Sequence, residues 1–274
     1  DAPAPEPENL FSIEGTLDFK TAYYFRGYKL MNKPVFQPDI TISTREFSFG
    51  DIGITPYLNL WNTISRDQGD SDATFSHWTE TGVNPGVSFT HQKWTLDFIY
   101  YATFLPSGTG DGDLDRRGAI GQAQELDITL SYDDATDETG TVGCFNYSKG
   151  AFTPIALQPY VLYAVEFQDR ADFDRNQYIE FGFSPELTIG EKWTFSFPTM
   201  LGCSLDGYYV GGDGHNDFFG FVGTGIHAKY QLNQNWDIHG GVDYTYDLSG
   251  GITDYNHDYS GGGSRHNFVG FIGF

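Results

Sequence analysis

The sequence predicts an all-β fold, a transmembrane antiparallel up-and-down β-barrel of about twelve strands. Three observations predict it. The first is strict period-two alternation near the C-terminus. Trp236, Ile238, Gly240, Val242, Tyr244, Tyr246 and Leu248 share one parity, and Asp237, His239, Gly241, Asp243, Thr245 and Asp247 share the other. That is a strand with one apolar and one polar face. The second is the alternation of connections. Short polar turns at Gly50-Asp51, His91-Gln92-Lys93, Gly190-Glu191-Lys192 and Asn233-Gln234-Asn235 alternate with longer Asp/Gly-rich loops at about 65–77, 106–122, 207–216 and 249–263. Short turns on the periplasmic side and long loops outside are the pattern of such barrels. The third is the repeat HQKWTLDF, GEKWTFSF and NQNWDIHG, which sets Trp94, Trp193 and Trp236 just after short turns. They are expected at one height, as a periplasmic aromatic girdle. Trp61 and Trp78 flank a long loop and are expected in the outer girdle.

Residues 1–11 are Pro- and Glu-rich without periodicity and are read as a periplasmic arm; residues 12–274 are read as the barrel. Strand one carries Ile13, Gly15, Leu17, Phe19, Thr21, Tyr23 and Phe25 on one face and runs to Arg26. Strand two runs through Phe36, Pro38, Ile40 and Ile42, then turns at Phe49-Gly50-Asp51 into strand three with Ile52, Ile54, Leu58 and Leu60. Val83, Val87 and Phe89 mark strand four, and Trp94 to Phe104 strand five. Strands six and seven follow at Leu126–Tyr132 and Val161–Phe167, with strands eight and nine at Ile179–Ile189 and Trp193–Cys203. Strand ten spans Phe218–Tyr230, and the last pair ends at Phe274. About ten residues at about 3.3 Å each, tilted about 40°, cover roughly 25 Å, the height of an outer-membrane apolar band. Segment 134–154 breaks the length rule: it is read as an insertion on the periplasmic side, with an extra hairpin as the alternative.

Composition agrees. Aromatics make up 17% and charged residues 19%, with 34 Gly. No run approaches about 18 apolar residues, so no membrane helix is expected. The net charge of −22 disfavours nucleic acid as a partner and fits a surface that attracts cations. The opening DAPAPEPENL reads as a mature terminus left after removal of an export signal. Cys144 and Cys203 are an even pair, but they are expected at opposite rims, against the about 7 Å that a bridge allows. The closing HNFVGFIGF, with Asn267, Ile272 and Phe274, resembles the C-terminal strand that barrel assembly machinery reads.

Tyr23, Phe25, Arg26 and Gly27 form a Tyr-x-Phe-Arg-Gly motif, and the run NPGVSFTHQKWTLDFIYYATFLP carries a Tyr pair and a closing Pro. In both, the chain resembles the Gcw-chp or TorF-like family of outer-membrane barrels. The resemblance implies an outer-membrane barrel with porin activity and supplies no catalytic residues.

The face opposite the apolar one is rich in carboxylates: Glu14, Asp18, Asp39, Asp97, Glu125, Asp127, Glu166, Glu180, Glu186, Asp237 and Asp243. Against them stand Lys20, Arg26, Arg45, Lys229, His227 and His239. Such a lumen either holds a narrow, cation-preferring passive channel or is plugged by ion pairs, which would leave a structural barrel serving as an assembly partner. Asp111, Asp113 and Asp115 have oxygen-ligand spacing for a loop-bound Ca²⁺, although Arg116 stands where an EF-hand needs Gly; a solvated acidic loop is the alternative. No other cofactor is expected. His257, Asp258, Ser260, Ser264 and His266 cluster in the last loop, the one arrangement that suits a lipid hydrolase, but no Gly-x-Ser-x-Gly or His-Glu-x-x-His occurs and no enzyme is expected. The expected surroundings are a lipid bilayer with lipopolysaccharide, and a periplasmic protein could dock on 1–11 or 134–154.

Overall fold

The computed structural model describes residues 9–65, 77–104, 106, 123–134, 139–142, 145–148, 156–167, 176–210, 214–260 and 264–274. Twelve strands wind once around a barrel. They are β1 (Phe11–Lys20), β2 (Val35–Thr44), β3 (Ile52–Ser65), β4 (Trp78–His91), β5 (Trp94–Phe104), β6 (Ala123–Tyr132), β7 (Tyr160–Phe167), β8 (Gln177–Phe183), β9 (Thr199–Asp206), β10 (Phe219–Gln231), β11 (Asp237–Asp247) and β12 (His266–Gly273). A helix, α1 (Gly250–Ser260), lies between the last two. Each strand pairs antiparallel with its neighbours in sequence, and β1 closes the ring on β12 through Phe19 opposite Ile272 and Lys20 opposite Phe271. The Leu17 N–H donates to the Phe274 carbonyl at 3.1 Å, so the chain's last residue belongs to the seam.

Period two fixes what each face meets. One outward row runs across five strands as Val87, Phe98, Ile128, Tyr163 and Ile179 in register. Outward side chains are strongly exposed: Ile13 at 73%, Ile226 at 64% and Phe268 at 65%. Leaving one such side chain in water forgoes about 1.5–3 kcal/mol. A belt of them around a closed cylinder is sustainable only where the outer solvent is hydrocarbon. The chain is therefore a multi-pass β-barrel of the outer membrane.

Several expectations change. The first strand stops at Lys20, not Arg26, and 21–34 turns into the lumen as a separate hairpin of Tyr23–Phe25 and Tyr28–Met31. The eighth and ninth strands each break at a proline, Pro185 and Pro198, which has no N–H for the ladder. Beyond the breaks, Glu186–Ile189 pairs with Trp193–Ser196. Segment 134–154 holds a hairpin, Thr139–Val142 with Phe145–Ser148, which is not part of the barrel sheet. The last loop is helical over Gly250–Ser260. Cys203 is a free, buried thiol, and Cys144 lies outside the described residues.

Candidate functional site in the lumen

The lumen holds a plug made of three inward-folded segments from the long-loop end. The first is the 23–31 hairpin. Its tip is Arg26-Gly27, with φ of 49° and 88°, and positive φ at both central residues is what a tight, twisted hairpin turn requires. A Cβ at Gly27 would also sit 2.9 Å from Ile252 Cδ1. The second segment is α1. Ser249 caps it by accepting from the Ile252 N–H at 3.3 Å, and Asp217 receives the Gly250 N–H at 2.8 Å and the Ser249 hydroxyl at 2.9 Å. The Ser249 hydrogen bond, aided by backbone N–H groups, holds the Asp217 carboxyl below its ordinary pKa. The third segment is Tyr208-Tyr209, just past β9; burial pushes the Tyr209 phenol up, and it donates to the Arg26 carbonyl at 3.0 Å.

Asn256 joins the segments. Its amide accepts from the Lys29 N–H at 2.7 Å and donates to the Gly27 carbonyl and to Asp247, both at 3.0 Å. The protein's buried apolar cluster lies here, inside the barrel: Ala164, Tyr178 and Phe221 from the wall meet Tyr209 and Ile252 from the plug.

Arg26 pins the hairpin to the far wall. Its guanidinium donates to Glu125, to Asp127 at 2.8 Å and to the Tyr208 hydroxyl at 3.2 Å. It also lies 4.4 Å from the Tyr178 ring centroid, within cation–π range. Its side chain is only 7% exposed.

Most carboxylates expected in the lumen are there, and most are engaged. Glu180 receives the hydroxyls of Tyr160 and Tyr178, and Asp97 receives Tyr57 at 2.7 Å. Glu166 receives Asn176 at 2.7 Å, and Glu186 receives Gln158 at 3.4 Å. His239 bridges Asp18 at 2.8 Å and Asp237 at 3.1 Å, and His227 meets Asp243 at 2.7 Å. Lys20 lies 3.8 Å from Asp18. Lys229, Glu14 and Arg45 are exposed, the last at the strand break beyond β2 and not within the lumen.

Beside the plug a cavity of about 870 Å³ remains, chiefly against β2–β6. Its wall includes Asp39, Glu80, Asn84, Tyr101, Trp61 and, from the plug, Tyr23. Trp61 therefore faces inward, 5.5 Å from the Tyr23 ring, and is not a girdle residue. The parity of Leu58 and Leu60 already carried that signal. Glu80 lies ahead of a fourth strand read from Val83, and extending the alternation back to it turns it inward, while Asn84, one place after Val83, has inward parity already.

Trp94, Trp193 and Trp236 are 48%, 43% and 58% exposed at the short-turn end. Trp78 is 36% exposed and donates its indole N–H to Asn62 at 3.1 Å. Ile272 and Phe274 are 57% and 52% exposed. The Asp111, Asp113 and Asp115 cluster lies outside the described residues. In the last loop the Ser264 hydroxyl accepts from the His266 N–H at 3.1 Å, while the His266 ring bonds the Tyr244 hydroxyl at 2.8 Å.

No family model and no curated protein matches the chain, so the motif at Tyr23–Gly27 assigns it to no family. Among solved structures it is similar to the NanC porin, at 14% identity over 94% of this chain and 97% of that one, with a TM-score of 0.43. It is also similar to a bacterial polysaccharide outer membrane secretin, at 9% identity over 98% and 99%, with a TM-score of 0.46. A third is the beta domain of the Bordetella autotransporter BrkA, at 12% identity over 97% and 98%, with a TM-score of 0.40. At these scores the barrel rests on its own closed ladder and exposed apolar belt, not on the likeness.

Proposed function

We propose that the barrel is a narrow, passive channel that prefers cations. The observation that carries this reading is the cavity of about 870 Å³ left beside the plug, whose wall holds Asp39, Glu80, Glu125 and Glu166 against Lys20. Walls of one charge sign with few countercharges concentrate counterions and exclude co-ions. In the same reading Trp94, Trp193, Trp236 and Trp78 anchor the barrel at the two interfaces, and Ile272 with Phe274 form the signal read during assembly.

One observation favours a second reading. The Arg26 anchor and the Asn256 clasp make a well-bonded plug, as a closed barrel serving as a partner for another protein would need. Planar-bilayer recording of the purified protein across a KCl gradient separates the two. The channel reading expects small, resolvable current steps with a reversal potential on the cation side. Silence at every salt concentration would eliminate it in favour of the plugged barrel, and anion-selective steps would overturn the cation preference.

A further inference from the structure

We infer that the lumen cavity is a binding site for an organic cation bearing N–H donors, an ammonium or a guanidinium group. This deepens the channel reading by naming a solute class for the same lumen.

The argument starts with hydrogen-bond direction. The Asp39 carboxylate only accepts. Asn59 must therefore turn its NH₂ toward it, and Nδ2 lies 2.5 Å from Asp39 Oδ1 and 3.0 Å from Thr41 Oγ1. That leaves Asn59 Oδ1 to accept from Asn84 Nδ2 at 2.9 Å. The relay ends at Asn84 Oδ1, an acceptor with no partner on a side chain that is only 1% exposed. Unsatisfied buried acceptors of this kind cost free energy and call for an explanation.

Glu80 gives a second, independent pointer. Among the described residues no hydrogen bond or ion pair reaches its carboxylate, although it lines the same cavity. The other cavity carboxylates are engaged: Glu125 by Arg26, Glu166 by Asn176 and Asp39 by Asn59. The cavity's Lys20 lies against Asp18. What the wall lacks is therefore positive charge: among the described lining residues Lys20 alone is basic, while Tyr23 and Tyr101 bring hydroxyls that can both donate and accept.

Aromatic rings form part of the wall, with Tyr23 packed against Trp61 on β3 and Tyr101 two strands away on β5. Aromatic faces attract a cation, whereas an anion would meet the carboxylates. A neutral polyol would satisfy the acceptors but not the charge of Glu80.

Isothermal titration of the full-length protein in detergent micelles tests this, with putrescine as probe and tetramethylammonium and maltose as controls. The expected result is saturable putrescine heat that weakens about tenfold or more in Glu80→Gln, the scale of one charge-assisted contact. Asn84→Ala should weaken it as well, and it keeps the test alive if the first variant does not fold. Tetramethylammonium, which has the charge without the N–H donors, should bind at least about tenfold more weakly on the same scale, and maltose not at all. The inference is overturned by the absence of saturable putrescine heat, by variants that bind like wild type, by tetramethylammonium equal to putrescine, or by maltose binding. No current is read in micelles, so the two readings fail separately. Cation-selective steps without putrescine heat sink this inference alone, and putrescine heat without steps sinks the channel alone.

Discussion

Replacing Arg26 by Ala should release the plug without unfolding the barrel. The guanidinium is 7% exposed and holds two carboxylates that are themselves 9% and 5% exposed. Removing one partner of a buried ion pair leaves uncompensated charge and costs about 3–5 kcal/mol. The 23–31 hairpin has strands of only three and four residues, too short to stand alone. Its docking therefore depends on such anchors, and a loss of about 3 kcal/mol shifts the docked fraction by about a hundredfold. The barrel ladder does not involve Arg26, so strand amides should stay protected. Hydrogen exchange with mass spectrometry in nanodiscs reads this directly. Peptides covering 21–34 should lose protection in Arg26→Ala, and peptides from β10 and β11 should not. Arg26→Lys should fall between, since an ammonium keeps the charge but cannot span both carboxylates as a planar fork does. Adding Glu125→Gln and Asp127→Asn to the Ala variant should restore part of the protection, because no charge is then stranded. Unchanged protection over 21–34 would refute the anchoring argument. Loss of protection throughout the barrel would refute the separation of plug from wall.

Two further outcomes follow from particular contacts. A Cβ at Gly86 would lie 2.2 Å from Tyr57 Cζ, so Gly86→Ala must displace the ring whose hydroxyl donates to Asp97 at 2.7 Å. Overpacking of this kind costs about 1–3 kcal/mol, and equilibrium unfolding in detergent should show it; an unchanged midpoint would contradict the packing described. Asp217 gives a pH dependence with a definite sign. Its folded pKa is depressed, so its support for α1 is fully present above the ordinary carboxylate pKa of about 3.9 and is lost only as pH falls through the lower, folded value. The Gly250 amide, followed by NMR in nanodiscs, should titrate with a midpoint below about 3.9, and Asp217→Asn should abolish that titration. A midpoint at or above the ordinary value would contradict the capping geometry.

The wall of this protein was legible because a strand's side chains alternate, interrupted in the barrel by bulges at Thr63/Ile64 and Gly202/Cys203. Asp243, His239 and Asp237 are inward for the same reason that Val242 is outward, and one row of the pattern fixes its neighbours through the register. Trp61 was misplaced only where residue type was allowed to override parity. The plug was less legible because its segments carry no period. Even so, YYFRGYKL shows three aromatics before an Arg-Gly pair and Tyr28 directly after it, and Gly at the centre is a turn signal within what otherwise reads as a continuation of the first strand. Nothing local distinguishes Asn256 from the other polar residues of TDYNHDYS. Its contacts to Gly27, Lys29 and Asp247 join segments that only the closed barrel brings together.

Strand number explains why such a plug exists. A barrel of about eight strands is just filled by its own side chains, and diameter grows with the count, so twelve strands leave space that the wall cannot fill. The inward-folded segments fill it on one side only, against Ala164, Tyr178 and Phe221. The lumen thus has a wall that holds a plug and a wall that faces open space. The carboxylates divide along the same line. Glu125, Asp127 and Glu180 are taken up by Arg26 and by tyrosine hydroxyls, and their charge is spent on holding the fold. Glu80 stands on the open side with no partner among the described residues. A carboxylate that the fold does not use for its own cohesion is the one free to meet a solute, so the lumen's selectivity should follow the open wall and be insensitive to the total acidity of the chain.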